Sequence, residues 1–288
     1  TRPADLDHTE KRYPGALPDR PHRLLALARL WNVVRYFYPY HDLMERSWDA
    51  LLPEAIPAFE AAASRREYLF AIARLGTHLC DGHVNVAGLW EELGRVPPVE
   101  VMPVEGRAVV THAGGAAGVD VGDVVLAVDG KAPAERIREL LELHMPATPQ
   151  AAALHAHQWL LVGREPQARV RLLKAGGREV EVMLERTLPY PQPRPRTGPA
   201  FRMLPQGFGY IDLTRLENGE AFHALDLVSA APGLILDLRG YPTQAHAEVA
   251  ARLTVRRVPR AIVELTEWHG PDPARAVRRR HHQLGWIG

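Results

Sequence analysis

Few of the side chains able to carry covalent or acid–base chemistry stand where such chemistry would need them. The sequence holds three serines, Ser47, Ser64 and Ser229. Ser64 opens Ser64-Arg65-Arg66-Glu67, a capping box in which Ser and Glu satisfy free N–H groups at a helix start. Ser47 precedes Trp48-Asp49 at another helix start, and Ser229 closes a helix ahead of Pro232. A serine is exposed for attack by a tight turn of small residues after a strand, and none of the three has that setting. The lysines Lys11, Lys131 and Lys174 fall in a polar lead-in or in turns. Cys80 and His83 stand three apart, which is open to thiol chemistry. Cys80 also suits a helix end as a small apolar residue. The pairs His155/His157 and His281/His282 lack a third ligand at metal spacing, and residues two apart on a helix do not share a face. Both pairs are expected to face solvent, and no metal is expected. Asp237 and Arg239 end an apolar strand, where α/β sheets place their sites.

Composition narrows the classes. Lys+Arg is 35 against 34 for Asp+Glu, a net charge of +1, so bulk electrostatics favours neither nucleic acid nor a membrane surface as partner. A single cysteine leaves no intramolecular disulfide and no Cys-rich zinc module. No run reaches the 18 or more apolar residues of a membrane span. Thr1 opens a charged stretch in which we expect no secretion leader.

These residues must be positioned by three kinds of element. Residues 1–18 hold Pro3, Pro14 and Pro18 and form an extended lead-in. Residues 19–83 are expected to be a helical unit. Leu24, Leu27, Ala28, Trp31, Val34 and Tyr38 repeat at three and four, and Pro39 ends that run. A second helix from Ser47 to Ala63 is made irregular by Pro53 and Pro57. A third follows Ser64, with Leu69, Ile72, Leu75 and Leu79 on its buried face. Residues 96–187 alternate as strands do, at Val99–Val104, Ala108–Thr111, Val124–Val128, Ala168–Leu173 and Glu179–Leu184. Helices are expected at Pro133–Leu143 and Ala151–Leu161. The prolines of 188–200 make a stiff linker. In 201–288, strands at Gly209–Leu213, Gly233–Leu238 and Ala261–Leu265 alternate with helices at Ala221–Ala230 and Ala245–Leu253, an α/β pattern. His269–Gly288, including Arg278-Arg279-Arg280, shows no regular pattern.

The order of these parts resembles a known family. Leu79-Cys80-Asp81-Gly82-His83-Val84 closes the helical unit. Gly118-Val119-Asp120-Val121-Gly122-Asp123 leads into Val124–Val128 and Asp129-Gly130. Gly209-Tyr210-Ile211 and Leu234-Ile235-Leu236-Asp237-Leu238-Arg239-Gly240 follow. Together they are similar to the C-terminal processing peptidases and tricorn-core serine peptidases, the tail-specific proteases. The interphotoreceptor retinoid-binding proteins share that core without being working peptidases.

The resemblance implies an α+β multidomain chain: a helical N-terminal unit, a PDZ-like β-rich domain, and the first half of an α/β (ClpP/crotonase-like) peptidase core. It implies peptide-bond hydrolysis near protein C-termini by a serine with a lysine or histidine base, and no cofactor. His83 is the matching general base. The segment Asp237, Arg239, Gly240, Tyr241 and Thr243 corresponds to the turn that shapes the oxyanion hole. Relatives read Asn-x-Gly-Gly where this chain has Tyr241-Pro242-Thr243-Gln244. Pro242 has no N–H to give, which leaves Tyr241 or Thr243 N–H as donor. The strand at Arg107 and Val109 is the expected docking edge for a substrate's C-terminal tail, added as a strand. We expect the nucleophilic Ser and the Lys to lie beyond Gly288, so that this chain is inactive by itself. A half-built sheet is expected to expose apolar surface and an unpaired edge at Leu234–Leu238, covered by a second copy or another partner. Family habit implies an extracytoplasmic compartment. The alternative is a non-catalytic peptide- or small-ligand-binding protein that retains the fold; a scaffold with a PDZ-like module is a third option.

Overall fold

The computed structural model describes residues 13–191, 196–254, 256, 258–267 and 277–287, with the backbone alone described in 258–266 and 278–287. The chain forms two compact units, one up to residue 194 and one from residue 195. Lys11 and the Pro193 and Pro195 portion of the linker lie outside the described residues.

The first unit begins with three helices, α1 (Arg20–Phe37), α2 (Trp48–Ala61) and α3 (Arg65–Thr77). Asp19 caps α1 by accepting the His22 N–H. Leu27, Val34, Trp48, Leu51, Phe59, Ala71 and Leu75 form the shared core. Trp31 and Trp48 each donate their indole N–H to the other's backbone carbonyl, at 3.1 and 2.9 Å. Buried Arg23 donates to the carbonyls of Phe59 and Glu60, the orphan acceptors at the end of α2. Despite Pro53 and Pro57, α2 runs unbroken.

Ser64 behaves as its sequence context requires: its side chain accepts the Glu67 N–H at 3.2 Å. Glu67 reaches one residue further back than the standard box, to the Ala63 N–H at 2.7 Å. Ser64→Ala should therefore destabilise the first unit by about 1 kcal/mol, read as a lower urea midpoint with unchanged slope. Ser47 occupies the N-cap position of α2 but makes no side-chain cap bond.

A short helix α4 (Leu89–Leu93), absent from the sequence expectation, leads into a five-stranded antiparallel sheet. Its strands are β1 (Glu100–Val104), β2 (Arg107–His112), β3 (Val124–Val128), β4 (Gln167–Leu173) and β5 (Glu179–Glu185), in that spatial order. Ala168, Val170 and Leu172 alternate inward along β4, as the two-residue period demands. They pack with Val101, Val110, Val125 and Leu160. Helices α5 (Pro133–Leu141) and α6 (Pro149–Gln158) lie between β3 and β4 in sequence.

The second unit has β6 (Phe201–Met203), a strand not expected from sequence, antiparallel to β7 (Gly209–Asp212), which pairs parallel with β8 (Leu234–Asp237). Helix α7 (Ala221–Val228) makes the crossover and α8 (Ala245–Leu253) follows. A Cβ on Gly209 would sit 2.6 Å from the Val228 Cβ, so only glycine lets α7 approach β7 this closely. Val258–Glu267 and Val277–Ile287 form an antiparallel hairpin, β9 and β10. This corrects the expectation that 269–288 has no regular pattern, within its described part. Arg278–Arg280 and His281-His282 belong to β10, a strand made by pairing with β9 and not announced by any apolar alternation.

The Leu234–Asp237 strand exposes apolar surface, as expected of this segment: Ile235 and Leu236 are exposed, as is Leu238 after it. β8 is hydrogen-bonded on one side only among the described residues, to β7. The strand of Arg107 and Val109 is not an open docking edge. β2 lies between β1 and β3, with Val109 opposite Val124 and the Val110 N–H on the Asp123 carbonyl. The edges of that sheet are β1 and β5.

Candidate functional site

The C-terminal ends of β7 and β8 build the densest polar cluster. Both strands read aliphatic-Asp-Leu, and parallel register sets Asp212 beside Asp237. Two buried carboxylates side by side need cations. Arg239 forks onto Asp237, with Nε 3.0 Å from Oδ1 and Nη2 2.6 Å from Oδ2, and its own backbone N–H also donates to Oδ1. Tyr210 donates its hydroxyl to Asp237 Oδ2 at 2.6 Å. Arg196 lies between the two acids, 2.8 Å from Asp212 and 3.3 Å from Asp237. Thr214 donates both its N–H and its hydroxyl to Asp212 Oδ1.

The electrostatics follow. The Arg239 hydrogen bonds, with Tyr210 and Arg196 behind them, outweigh desolvation and hold Asp237 far below the usual carboxylate range. Burial pushes Asp212 up, yet the Thr214 bonds and Arg196 leave it net lowered. Burial and the Asp237 carboxylate push the Tyr210 phenol up. Neither acid is suited to take a proton near neutrality. They shape the turn that follows.

That turn carries the chemistry open to it. Thr243 is excluded as an oxyanion donor, correcting the expectation: its N–H is on the Leu213 carbonyl at 2.9 Å and its hydroxyl on that of Leu216 at 2.6 Å. Among the described residues the N–H groups of Gly240 and Tyr241 meet no protein acceptor, and Tyr241 is 94% exposed. Two successive unpaired backbone donors are the kind of group that stabilises a developing oxyanion. Tyr210, Asp212, Arg196 and Thr214 were not singled out from sequence. The repeated aliphatic-Asp-Leu ending of the two strands was the available signal for Asp212.

His83 belongs to the first unit. It follows α3 in Cys80-Asp81-Gly82-His83, where Asp81 Oδ1 accepts both the His83 N–H at 2.9 Å and Nδ1–H at 2.8 Å. The two bonds from His83 hold Asp81 below its ordinary value. An ionised acceptor on Nδ1 fixes the tautomer and leaves Nε2 as the free lone pair. The ring is almost fully exposed. Ser229 donates its hydroxyl to the Asp226 carbonyl at the end of α7.

Other candidates change character. Cys80 is exposed rather than packed at the helix end, with φ of 47°, and its thiol donates to the Thr77 carbonyl. Leu79 takes the buried place. Desolvation and Glu45 push the Cys80 thiol pKa up, so it stays protonated and poorly nucleophilic. His155 and His157 are not solvent histidines: His157 is buried on the Ala153 carbonyl, and His155 stacks on His144. The side chains of His281 and His282 lie outside the description. Among the described residues no group of three or more His, Cys, Asp or Glu could hold a metal ion, and no helix is long and apolar enough to cross a membrane.

No family model matches the sequence. No curated protein matches it either. Solved structures do. Mature CPAF, a Chlamydia serine protease, superposes with a TM-score of 0.59 at 15% identity, over 86% of this chain and 60% of that one. Mature CPAF complexed with lactacystin gives 0.58 at 15% identity, over 86% and 61%. The chain thus spans about three-fifths of the CPAF chains. The likeness is one of fold: a mixed helix-and-sheet, peptidase-like architecture.

Proposed function

We propose that this chain is the N-terminal and middle part of a serine peptidase that cuts peptide bonds near protein C-termini. His83 is the general base in this reading, and the Gly240 and Tyr241 N–H groups, held by the Asp237–Arg239 fork, are the oxyanion donors. The single observation that carries the reading is the Asp81–His83 pair. An aspartate holding Nδ1 while Nε2 stands free is the arrangement a serine's proton acceptor requires. The peptidase-like fold supports it, as does CPAF's identity as a serine protease. The PDZ-like role of the five-stranded sheet belongs to the same proposal. With β2 enclosed, a tail would add at β1 or β5.

The nucleophilic serine and the lysine lie outside these 288 residues in this reading. The described serines support that: Ser64 and Ser229 are committed to helix ends, and Ser47 heads α2. The 288-residue chain should leave a quenched fluorescent peptide uncut. Cleavage that a serine-directed inhibitor abolishes would contradict the proposal. A longer chain, extended through the coding sequence after codon 288, should cleave, and its His83→Gln variant should not.

A second reading, a binding protein that retains the fold, is favoured by one observation. Pro242 lacks an N–H, and that of Thr243 is consumed by Leu213, so the turn offers fewer donors than a glycine-rich one. A longer chain that stays inactive would leave that reading.

A further inference from the structure

The first unit contains a cleft of about 550 Å3 that the reading above does not use. This lies within the ordinary range of small-ligand sites, about 300–1,000 Å3. One wall is α5, which presents Ala134, Ile137, Arg138 and Leu141 at helical spacing. The other is the end of α3 with Cys80, together with Glu45 and Arg46 from the segment before α2. The floor is aliphatic and the rim is charged.

The rim charges are not equivalent. Arg46 is held by Glu54 at 2.6 Å, and Glu142 faces Arg74 at 3.8 Å. Arg138 and Glu45 make no ion pair among the described residues; His78, also in the lining, feels Glu45 only through space, and burial and Arg46 leave its pKa lowered. A cleft with one unpaired cation, one unpaired anion and an apolar floor is complementary to a small zwitterion with an apolar middle. A fatty acid would leave Glu45 opposed to nothing, and a cationic amphiphile would leave Arg138 so.

We propose that this cleft binds a short peptide with free termini, its carboxylate on Arg138, its ammonium toward Glu45, and its aliphatic side chains on Ile137 and Leu141. The site uses no residue of the β8 turn or of the sheet edges, and the proposal stands whether or not the chain belongs to a peptidase. Cys80 is the chain's sole cysteine and lines the cleft, so its alkylation reports occupancy.

The probe is the tripeptide Leu-Gly-Leu, compared with its C-terminal amide and its N-acetyl form, on the 288-residue chain by calorimetric titration. The free tripeptide should bind one to one and slow iodoacetamide labelling of Cys80. Amidation and acetylation should each weaken binding about tenfold, the scale of a hydrogen bond to a charged group. Arg138→Ala should erase the acid–amide difference alone, and Glu45→Gln the ammonium–acetyl difference alone. Both residues are exposed, so both variants should fold. Equal binding of all three peptides, no protection of Cys80, or binding of decanoate without binding of peptide would each overturn the proposal.

Discussion

Asp237→Ala should destabilise the C-terminal unit by about 1–3 kcal/mol, the scale of losing hydrogen bonds to a charged group. The Asp237 side chain is 4% exposed and receives the Arg239 fork, the Tyr210 hydroxyl and part of Arg196. Deletion strands Tyr210 and removes the tether that sets Arg239 and, behind it, Gly240 and Tyr241. Asp237→Asn keeps the shape and one acceptor but loses the charge, so its effect should be smaller. Amide exchange of Gly209–Asp212 and Leu234–Asp237 reads the loss locally, without assuming that the two units unfold together. The pH arm has a definite sign. The folded-state pKa of Asp237 is depressed, so its contribution is complete above the unfolded value near about 4 and is lost as pH falls through the folded one. Wild-type protection factors in these strands, corrected for the intrinsic slowing of amide exchange in acid, should fall below pH about 4, while those of the alanine variant change less. If the variant's strands exchange no faster than wild type at pH 7, the carboxylate is not what holds the turn.

The sequence reports local structure well where one residue decides it. Asp19 and Ser64 stand at helix starts because a side-chain oxygen must meet a free N–H, and each does, whereas Ser47 at the start of α2 makes no such bond. The alternation of Ala168, Val170 and Leu172 names a half-buried strand without further information. Legibility falls where pairing decides. Arg107 and Val109 lie on a strand, but whether that strand is an edge depends on where Val124 returns. β10 carries Arg278-Arg279-Arg280 in a strand that no apolar alternation announces; its pairing with β9 supplies the backbone bonds. At the candidate site, Asp237 and Arg239 could be read from one strand end. Arg196 could not, and the repeated aliphatic-Asp-Leu ending that marks Asp212 gains its meaning only once β7 and β8 are in parallel register. Tyr241-Pro242 announced a departure from a glycine-rich turn. Only the structure shows that Thr243 is spent on Leu213 and that Gly240 is left free.

Arg186→Met should be more damaging to the first unit, by about 3–5 kcal/mol, although methionine is similar in length. Arg186 follows β5 and its side chain is 1% exposed. Its Nε donates to the Leu161 carbonyl at 2.9 Å, its Nη1 to those of Gln167 at 2.7 Å and Glu165 at 3.2 Å, and its Nη2 pairs with Asp129. Methionine fills the volume and satisfies none of these acceptors, and a buried acceptor without a donor costs more than its bond was worth. Burial already pushes Asp129 up, and it is the Arg186 bond and the Arg169 N–H that bring it net below its ordinary value. Without the guanidinium, Asp129 sits at a φ of 51° with its main cation gone. Arg186→Lys should rescue little, since one ammonium cannot reach the carbonyls and the carboxylate that a planar fork spans. Gly163 supplies an independent check. A Cβ there would overlap the Arg186 guanidinium, which its four partners prevent from moving aside. Gly163→Ala should therefore destabilise the unit as well, and Gly163→Ala with Arg186→Met should cost less than the sum of the two. Chemical unfolding of the four species measures this coupling; strict additivity would mean that the guanidinium is not the group Gly163 makes room for.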